Sequence, residues 1–123
     1  MTVEADIKTV LDAYGSLDSL VSSRNYISGL PQNPTYPNTV SYRVSTEPHN
    51  TLGTRNSRTN ARFQIECRAS TAKSADEVAI QVIAAMEAAT TFIALYLDKS
   101  ILPYEPAIQN YRVNLEFSVW FTE

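Results

Sequence analysis

Two segments of the chain alternate between apolar and polar residues with the two-residue period of a β-strand. "ARFQIECRAS" and "NYRVNLEFSVWF" each place every second side chain on one apolar face. Because successive side chains of a strand point to opposite faces of a sheet, each segment is predicted to be a strand buried on one side. The predicted inward residues are Phe63, Ile65, Cys67 and Ala69 in the first segment, and Tyr111, Val113, Leu115, Phe117, Val119 and Phe121 in the second.

A third segment, "TVSYRVS", alternates in the same way, with Val40, Tyr42 and Val44 sharing one face. It precedes "ARFQIECRAS", and the two segments are predicted to pair as one long hairpin. The proline-rich stretch "LPQNPTYPNT" before it is predicted to be extended but not a central strand, because proline fixes φ and lacks an amide donor.

The N-terminal segment "TVEADIKTVLDAYG" instead repeats with the period of an amphipathic helix. Thr2 is predicted to cap the start of this helix, and Gly15 is predicted to end it in the left-handed conformation. The following stretch, "SLDSLVSSRNYISG", predicts a short turn or helical piece that leads into extended chain around Tyr26 and Ile27. The buried stripe of the first helix consists of Ile7, Val10, Leu11 and Tyr14.

A second long helix is predicted in the alanine-rich segment that starts at Ser74. Ser74 and Glu77 have the spacing of a capping box, and a place at the helix start also explains Asp76. The stripe predicted to lie on the sheet consists of Val78, Val82, Ile83, Met86 and Ala89. The pattern leaves Phe92–Leu97 open between helix and strand.

Together these elements predict an α+β fold, in which an antiparallel sheet with a long hairpin arm packs against two main helices. The length of 123 residues fits one domain spanning the whole chain. With 44% apolar residues, the chain is expected to build its core without a disulfide or a metal ion.

The hairpin arm, "HNTLGTRNSRTN", runs from His49 to Asn60 and is far longer than the connection that a hairpin needs. Its polar residues bury little apolar area within one subunit, while ordering each of them costs about 1–2 kcal/mol. The arm is therefore expected to stay flexible or to be ordered by another chain, and contact with a neighbouring subunit or partner is the favoured interpretation.

Four arginines and one tryptophan are candidates for such contacts. Arg55, Arg58, Arg62 and Arg68 lie in the arm and in the strand that follows it. A solvated charged face explains them, and so does contact with an acidic protein or with DNA. Trp120 lies on the polar face of the last strand, where either a second helix covers it or it anchors an interface.

The remaining composition offers little for catalysis. His49 is the only histidine and Cys67 the only cysteine, so neither a disulfide nor a zinc-ligand spacing can be formed. A Cys67–His49 dyad is conceivable, but Cys67 falls on the inward face of a strand, where cysteine packs as a small apolar residue. The three scattered glycines form no phosphate-binding loop. We expect no enzyme, no cofactor and no metal site.

The charge and hydropathy of the chain limit its partners. The net charge of −3 gives no general attraction to nucleic acid or anionic membranes. No apolar stretch reaches the length of a membrane span, and the N-terminus lacks a signal-peptide pattern. These features predict a soluble, cytoplasmic protein.

Several segments come in the order found in one viral protein family. They are "DIKTVLDAY", "LPQNPTYPNTVSYRVSTEP", "RTNARFQIECRAS", a helix of the A-x-x-V-A type and the closing "YRVNLEFSVWF". Over nearly its whole length the chain resembles the tail-completion or tail-terminator proteins of long-tailed bacteriophages. The resemblance lies in element order, length and the Tyr-Arg…Phe-x-Val-Trp ending.

The resemblance implies a structural role without catalysis. Such proteins form a ring, usually hexameric, that caps the tail tube, stops its polymerisation and meets the neck of the head. Double-stranded DNA passes through the ring without being read, and the protein becomes part of the virion after assembly in the host cytoplasm. The expected contacts to a subunit or to the tube are His49, Asn50, Thr51, Leu52, Thr54, Arg55, Asn56, Arg58, Arg62 and Trp120.

Three alternatives remain open at this point. A neck or head-completion protein of similar size has the same general features. An adaptor that binds one protein partner as a monomer or dimer would lack the two complementary patches that a closed ring needs. A small enzyme that uses Cys67 would need an accessible, reactive thiol.

Overall fold

The computed structural model describes residues 3–22, 24–29, 35–48, 58–105 and 110–122. Within these ranges the chain is an α+β fold, as the alternating and helical patterns predict. Its elements in chain order are α1 (Val3–Ala13), α2 (Gly15–Val21), β1 (Asn25–Ile27), β2 (Asn38–Pro48), β3 (Arg58–Ala69), α3 (Ala72–Ala88), β4 (Ile93–Glu105) and β5 (Asn110–Thr122).

The strands form one five-stranded sheet in the order β1-β2-β3-β5-β4. The predicted hairpin is confirmed, because β2 and β3 pair antiparallel from Asn38 opposite Arg68 to Pro48 opposite Thr59. The sheet is not purely antiparallel, since β1 runs parallel to β2. Residues 28–37 separate the two strands, which gives the chain the length to return before β2 begins, as a parallel pair requires.

All three helices contribute to one apolar core on one face of the sheet. The predicted inward residues of β3 and β5 are buried there, apart from Tyr111, which is half-buried. The predicted stripes of the two long helices meet them, although Val10, Tyr14, Ile83 and Ala89 are only partly buried at the margin of the core. The largest fully buried side chains of this core are Phe63, Phe117, Ile7, Leu11, Leu17, Ile65, Met86 and Leu115.

The segment that the pattern left open, Phe92–Leu97, leads into and begins β4. Phe92 is buried just before the strand, and Ile93 opens a strand that pairs antiparallel with β5. This strand lies at one edge of the sheet. Its edge position explains why its sequence lacks the clean alternation of the central strands, since it is not covered evenly on one face.

Two predicted helix boundaries are wrong. Gly15 does not end α1 in a left-handed turn; it is the first residue of α2, and Ser22 takes the left-handed conformation at the end of α2, with φ of 49°. The predicted capping box of Ser74 and Glu77 is also absent, because α3 starts earlier. Thr71 is its N-cap and accepts a hydrogen bond from the backbone N–H of Ser74 at 3.1 Å.

The alternation predicted for β2 breaks at Val44, where the register with β3 shifts between Arg43 and Ser45. The bulge leaves Val44 exposed. Arg43 faces the helices, with its guanidinium over the rings of Phe63 and Phe121 at 5.6 Å and 5.3 Å from their centroids. It also forms a 2.7 Å ion pair with Glu4 of α1. A cation placed over aromatic faces and paired with a carboxylate closes this end of the core.

Polar side chains join α1 to the first two strands. The Asn25 side chain donates to Asp12 of α1 at 2.8 Å and accepts from the Thr39 hydroxyl of β2 at 2.7 Å. Both Asn25 and Thr39 are buried, so these bonds satisfy groups that would otherwise be costly to bury. They fix the short strand β1 between the helix and the rest of the sheet.

The prediction that Cys67 is a core residue is confirmed. Cys67 is fully buried on the inward face of β3. Burial raises the pKa of its thiol far above the ordinary value of 9.0, Glu66 raises it further, and Lys99 partly opposes them. A thiol held in its protonated form is a poor nucleophile.

We expect Thr71→Ala to lower the free energy of unfolding by about 1 kcal/mol, because it removes the hydroxyl that caps α3. Ser74→Ala is the matched control and is expected to change stability by less than about 0.5 kcal/mol. Urea denaturation followed by circular dichroism measures both. A larger loss for Ser74→Ala than for Thr71→Ala would show that the helix is capped at Ser74.

We expect the Cys67 thiol to react with a disulfide reagent at about pH 8 only after denaturant is added, because burial keeps it protonated and inaccessible. The unfolded chain loses this proton near 9.0 and the folded chain only at higher pH. The stability from this group is therefore complete below the unfolded pKa and declines as the pH rises above it. Rapid stoichiometric reaction in the native protein would contradict the assignment and restore the enzyme alternative.

Candidate interaction surface

The face of the sheet opposite the helices carries the side chains that alternate with the core. On β3 and β5 these are mainly polar, as the period-two pattern predicts. The helices that the structure describes all pack on the other face. We call this second surface the open face. Its residues on the two central strands are Asn60, Arg62, Gln64, Glu66, Arg68, Arg112, Asn114, Glu116, Ser118 and Trp120.

Two of the predicted contact residues, Arg62 and Trp120, lie at the hairpin end of the open face, where β2 ends and β3 begins. Trp120 lies opposite Asn60, and the next outward pair is Arg62 with Ser118. Asn60 donates a hydrogen bond of 2.8 Å to the Ser118 hydroxyl, which ties the two strands together beside the tryptophan. Arg62 is exposed, and Trp120 is half-buried.

Trp120 is not covered by a second helix, so that explanation fails for the described part of the chain. Its neighbour on the other side is Ile93, the first residue of β4, with Leu95 next along the strand. Ile93 and Leu95 are exposed. Trp120 therefore belongs to an apolar patch at the edge of the open face, as an interface anchor would. The sequence does not identify Ile93 and Leu95 as surface residues, because the pattern leaves their segment open between helix and strand.

Arg68, for which a solvated charged face is one explanation, is instead paired with a buried carboxylate on the open face. Glu66 is buried and pairs with Arg68 at 3.1 Å and with Arg112 at 3.4 Å. Long side chains from β3 and β5 cover the carboxylate, because neighbouring outward positions on paired strands are close enough for such contacts. Arg68 is thus part of a structural ion cluster on the sheet, whereas Arg62 is exposed.

The acidic residues predicted at the start of the second long helix are not caps. Asp76 forms an ion pair with Lys99 of β4 at 2.5 Å, and Glu77 lies 4.0 Å from Lys73. The early start of α3 at Ala72 moves both carboxylates into the body of the helix. The Asp76–Lys99 pair joins α3 to the edge strand.

The arm lies mostly outside the described residues. This applies to His49, Asn50, Thr51, Leu52, Thr54, Arg55 and Asn56, so their expected contacts stay predictions. Arg58 is described as the first residue of β3, opposite Thr122 of β5. The two ends of the arm therefore leave the sheet at the same end as Trp120 and Ile93.

A shallow groove of about 230 Å³ lies where the C-terminal ends of α1 and α3 meet. Its lining carries no acid, base or thiol and consists of Val10, Ala13, Tyr14, Ala85, Ala88, Ala89, Thr90 and Thr91. Such a groove has the apolar character of a packing surface. Across the described ranges, no three metal-ligating side chains come together. None of the described helices is long and apolar enough to cross a membrane.

Comparison with solved structures shows the same fold in a gene transfer agent protein and in a bacteriophage protein. A chain in the virion of a native gene transfer agent particle has a TM-score of 0.71 at 15% identity, and the match covers 98% of this chain and 95% of that one. The gp17 protein of bacteriophage SPP1 has a TM-score of 0.60 at 17% identity, with 98% and 88% covered. A comparison with curated protein sequences finds no relative of this chain.

Comparison with protein families identifies the family of this chain. Residues 5–122 match the family described as tail completion protein gp17. The matched range includes every strand of the sheet and almost all of the first helix. The resemblance drawn from the sequence is thereby confirmed, and the chain belongs to the tail completion protein gp17 family, a family of phage tail assembly proteins.

Proposed function

We propose that this protein forms a ring, most simply a hexamer, on the end of a phage tail tube, where it ends polymerisation and joins the tail to the head or neck. The observation that carries the proposal is the family match over residues 5–122. The similar chain in the gene transfer agent belongs to an assembled virion. We extend that setting to this chain as a virion component that is assembled in the host cytoplasm.

A ring subunit needs different surfaces for its neighbours and for the tube, but it needs no catalytic group. The described residues supply such surfaces: an open sheet face, an apolar patch beside Trp120, and the base of a long arm. Two carboxylates of the sheet and its covering helix, Glu66 and Asp76, are held in structural ion pairs. This supports a structural and non-enzymatic role.

The charge of the chain suits a ring through which DNA moves. Phosphate binding scales with the number of cations that a protein presents, and this chain carries a net charge of −3. The arginines Arg68 and Arg112 are held against Glu66 instead of being presented to a ligand. We propose that double-stranded DNA passes the ring without being gripped or read.

The arm is proposed to contact the neighbouring subunit or the tube. Its base is fixed by the pairing of Pro48 with Thr59 and of Arg58 with Thr122. The base therefore holds the arm at one end of the sheet, from which a polar segment can reach a second chain. Arg62 and Trp120 at the same end would extend that contact onto the open face.

We expect the purified protein to stop the growth of tail tubes polymerised from tube protein in vitro. Tube lengths measured by electron microscopy should become short and uniform, with one ring at a tube end. Adding the same protein to phage heads without tails is the control for a neck role. Rings on the heads and unchanged tube growth would contradict the proposal and favour a head-completion protein.

Replacing Thr51–Ser57 with a short glycine-rich turn should leave the fold intact, since shortening a loop changes its closure entropy little. We expect this variant to lose tube capping, because it lacks the arm contacts. The replacement spares Arg58 and Thr59, which pair within the sheet. A Gly-Ser arm of the original length is the matched control and should fail as well if side chains make the contact. Normal capping by the shortened variant would refute the role of the arm.

A further inference from the structure

Two acidic side chains lie directly opposite each other on the open face. Asp98 of β4 pairs in register with Glu116 of β5, and Glu116 has the neutral Gln64 on its other side. Asp98 is exposed and Glu116 is half-buried. None of the ion pairs among the described residues involves either of these two acids. Like charges directly opposite each other on paired strands are unfavourable, so a cation supplied by another molecule would relieve their repulsion.

The apolar patch beside Trp120 adjoins these acids on the same face. Ile93 lies opposite Trp120, and Leu95 follows as the next outward residue of β4. A register shift after Tyr96 then makes Asp98 the next outward residue. The rows of Leu95 and Asp98 are two residues apart along β5, which is about 7 Å. We call this surface the acidic corner, and it consists of Ile93, Leu95, Asp98, Glu116 and Trp120.

The sequence of the arm has the complementary chemistry. The arm contains two arginines, Arg55 and Arg58, and no acidic residue. Leu52 is its one large apolar residue, and Arg55 follows three positions later. Three residues span at most about 11 Å, which is enough to cover the distance between the apolar and the acidic rows of the corner. An apolar side chain followed by a cation at this spacing fits an apolar patch followed by two acids.

We infer that the arm of one copy of this chain docks on the acidic corner of a second copy. Arg55 lies between the two carboxylates in this contact, and Leu52 packs on the apolar part of the corner. The inference rests on the proposed role of the arm and names the surface that the arm meets. Arg62 of β3 lies diagonal to Glu116, so the two acids and Arg62 together keep one net negative charge for the incoming arginine.

The length of the arm favours a second copy over the acidic corner of the same subunit. Arg58 pairs with Thr122, and Glu116 lies six residues further along β5, about 20 Å away. Arg55 is three residues from Arg58, so the two Cα atoms are at most about 11 Å apart. Arg55 could approach the Glu116 of its own subunit only if the chain folded back fully extended along the sheet. The corner of a second copy is not subject to this restriction.

Asp98→Lys tests the inference with two readouts. In the dilute subunit the new lysine faces Glu116, so urea denaturation should show a stability equal to or above that of the wild type. Sedimentation equilibrium should show self-association weakened by about tenfold or more, since the lysine repels Arg55 of the second copy. Glu87→Lys is the matched control, because it makes the same charge change at an exposed position of α3. It should associate like the wild type.

A mixture of two variants tests whether the arm and the corner belong to different copies. Arg55→Glu alone should also weaken self-association, because its carboxylate would face two acids. Mixing Arg55→Glu with Asp98→Lys should restore part of the association, since the glutamate of one variant meets the lysine of the other. Normal association of either single variant, no recovery in the mixture, or a wild type that stays monomeric would each overturn the inference.

Failure of this inference can be distinguished from failure of the proposed function. If both variants associate like the wild type while the shortened arm still abolishes tube capping, the role of the arm stands and the contact with the acidic corner is wrong. If both variants lose association as expected but the wild type leaves tube growth unchanged, the contact stands and the capping function is wrong.

Discussion

The inward faces of β3 and β5 need an apolar cover, and the three helices supply it from one side. Phe63, Ile65, Leu115 and Phe117 form the buried centre of this layer. Strand side chains alternate between the two faces of a sheet, so every second residue of the same strands points away from the helices. The ion pair and ring contacts of Arg43 close the layer at the hairpin end. The helices that the structure describes cover one face of the sheet only, so the opposite face is available to a partner.

Three kinds of surface remain outside that layer, and they suit different partners. The open face is polar and partly occupied by the Glu66 ion cluster. The hairpin end carries the base of the arm, Arg62 and Trp120. The first residues of the edge strand β4, from Ile93 to Leu97, are apolar and begin beside Trp120. The proposed ring subunit must meet its own copies and the tube, so it needs more than one of these surfaces.

The sequence predicted the central strands, the hairpin and the two long helices, because their burial is regular and leaves a period in the pattern. It did not predict β4, since an edge strand with apolar residues on both faces has no such period. The start of α3 was wrong because Thr71 and Ser74 are both good N-cap residues. Only packing decides which of them begins the helix. The sequence does not show that Glu66 is buried. Its cover by one arginine of β3 and one of β5 depends on how the two strands are aligned. Of the predicted site, Arg62 and Trp120 are brought together, and the arm stays a prediction.

The most direct test is an electron cryomicroscopy reconstruction of this protein bound to the end of a tail tube. We expect a closed hexameric ring on the tube end, with the arm bases directed toward a neighbouring subunit or the tube. A tube end without a ring, or a ring whose arm bases face solvent, would contradict this proposal.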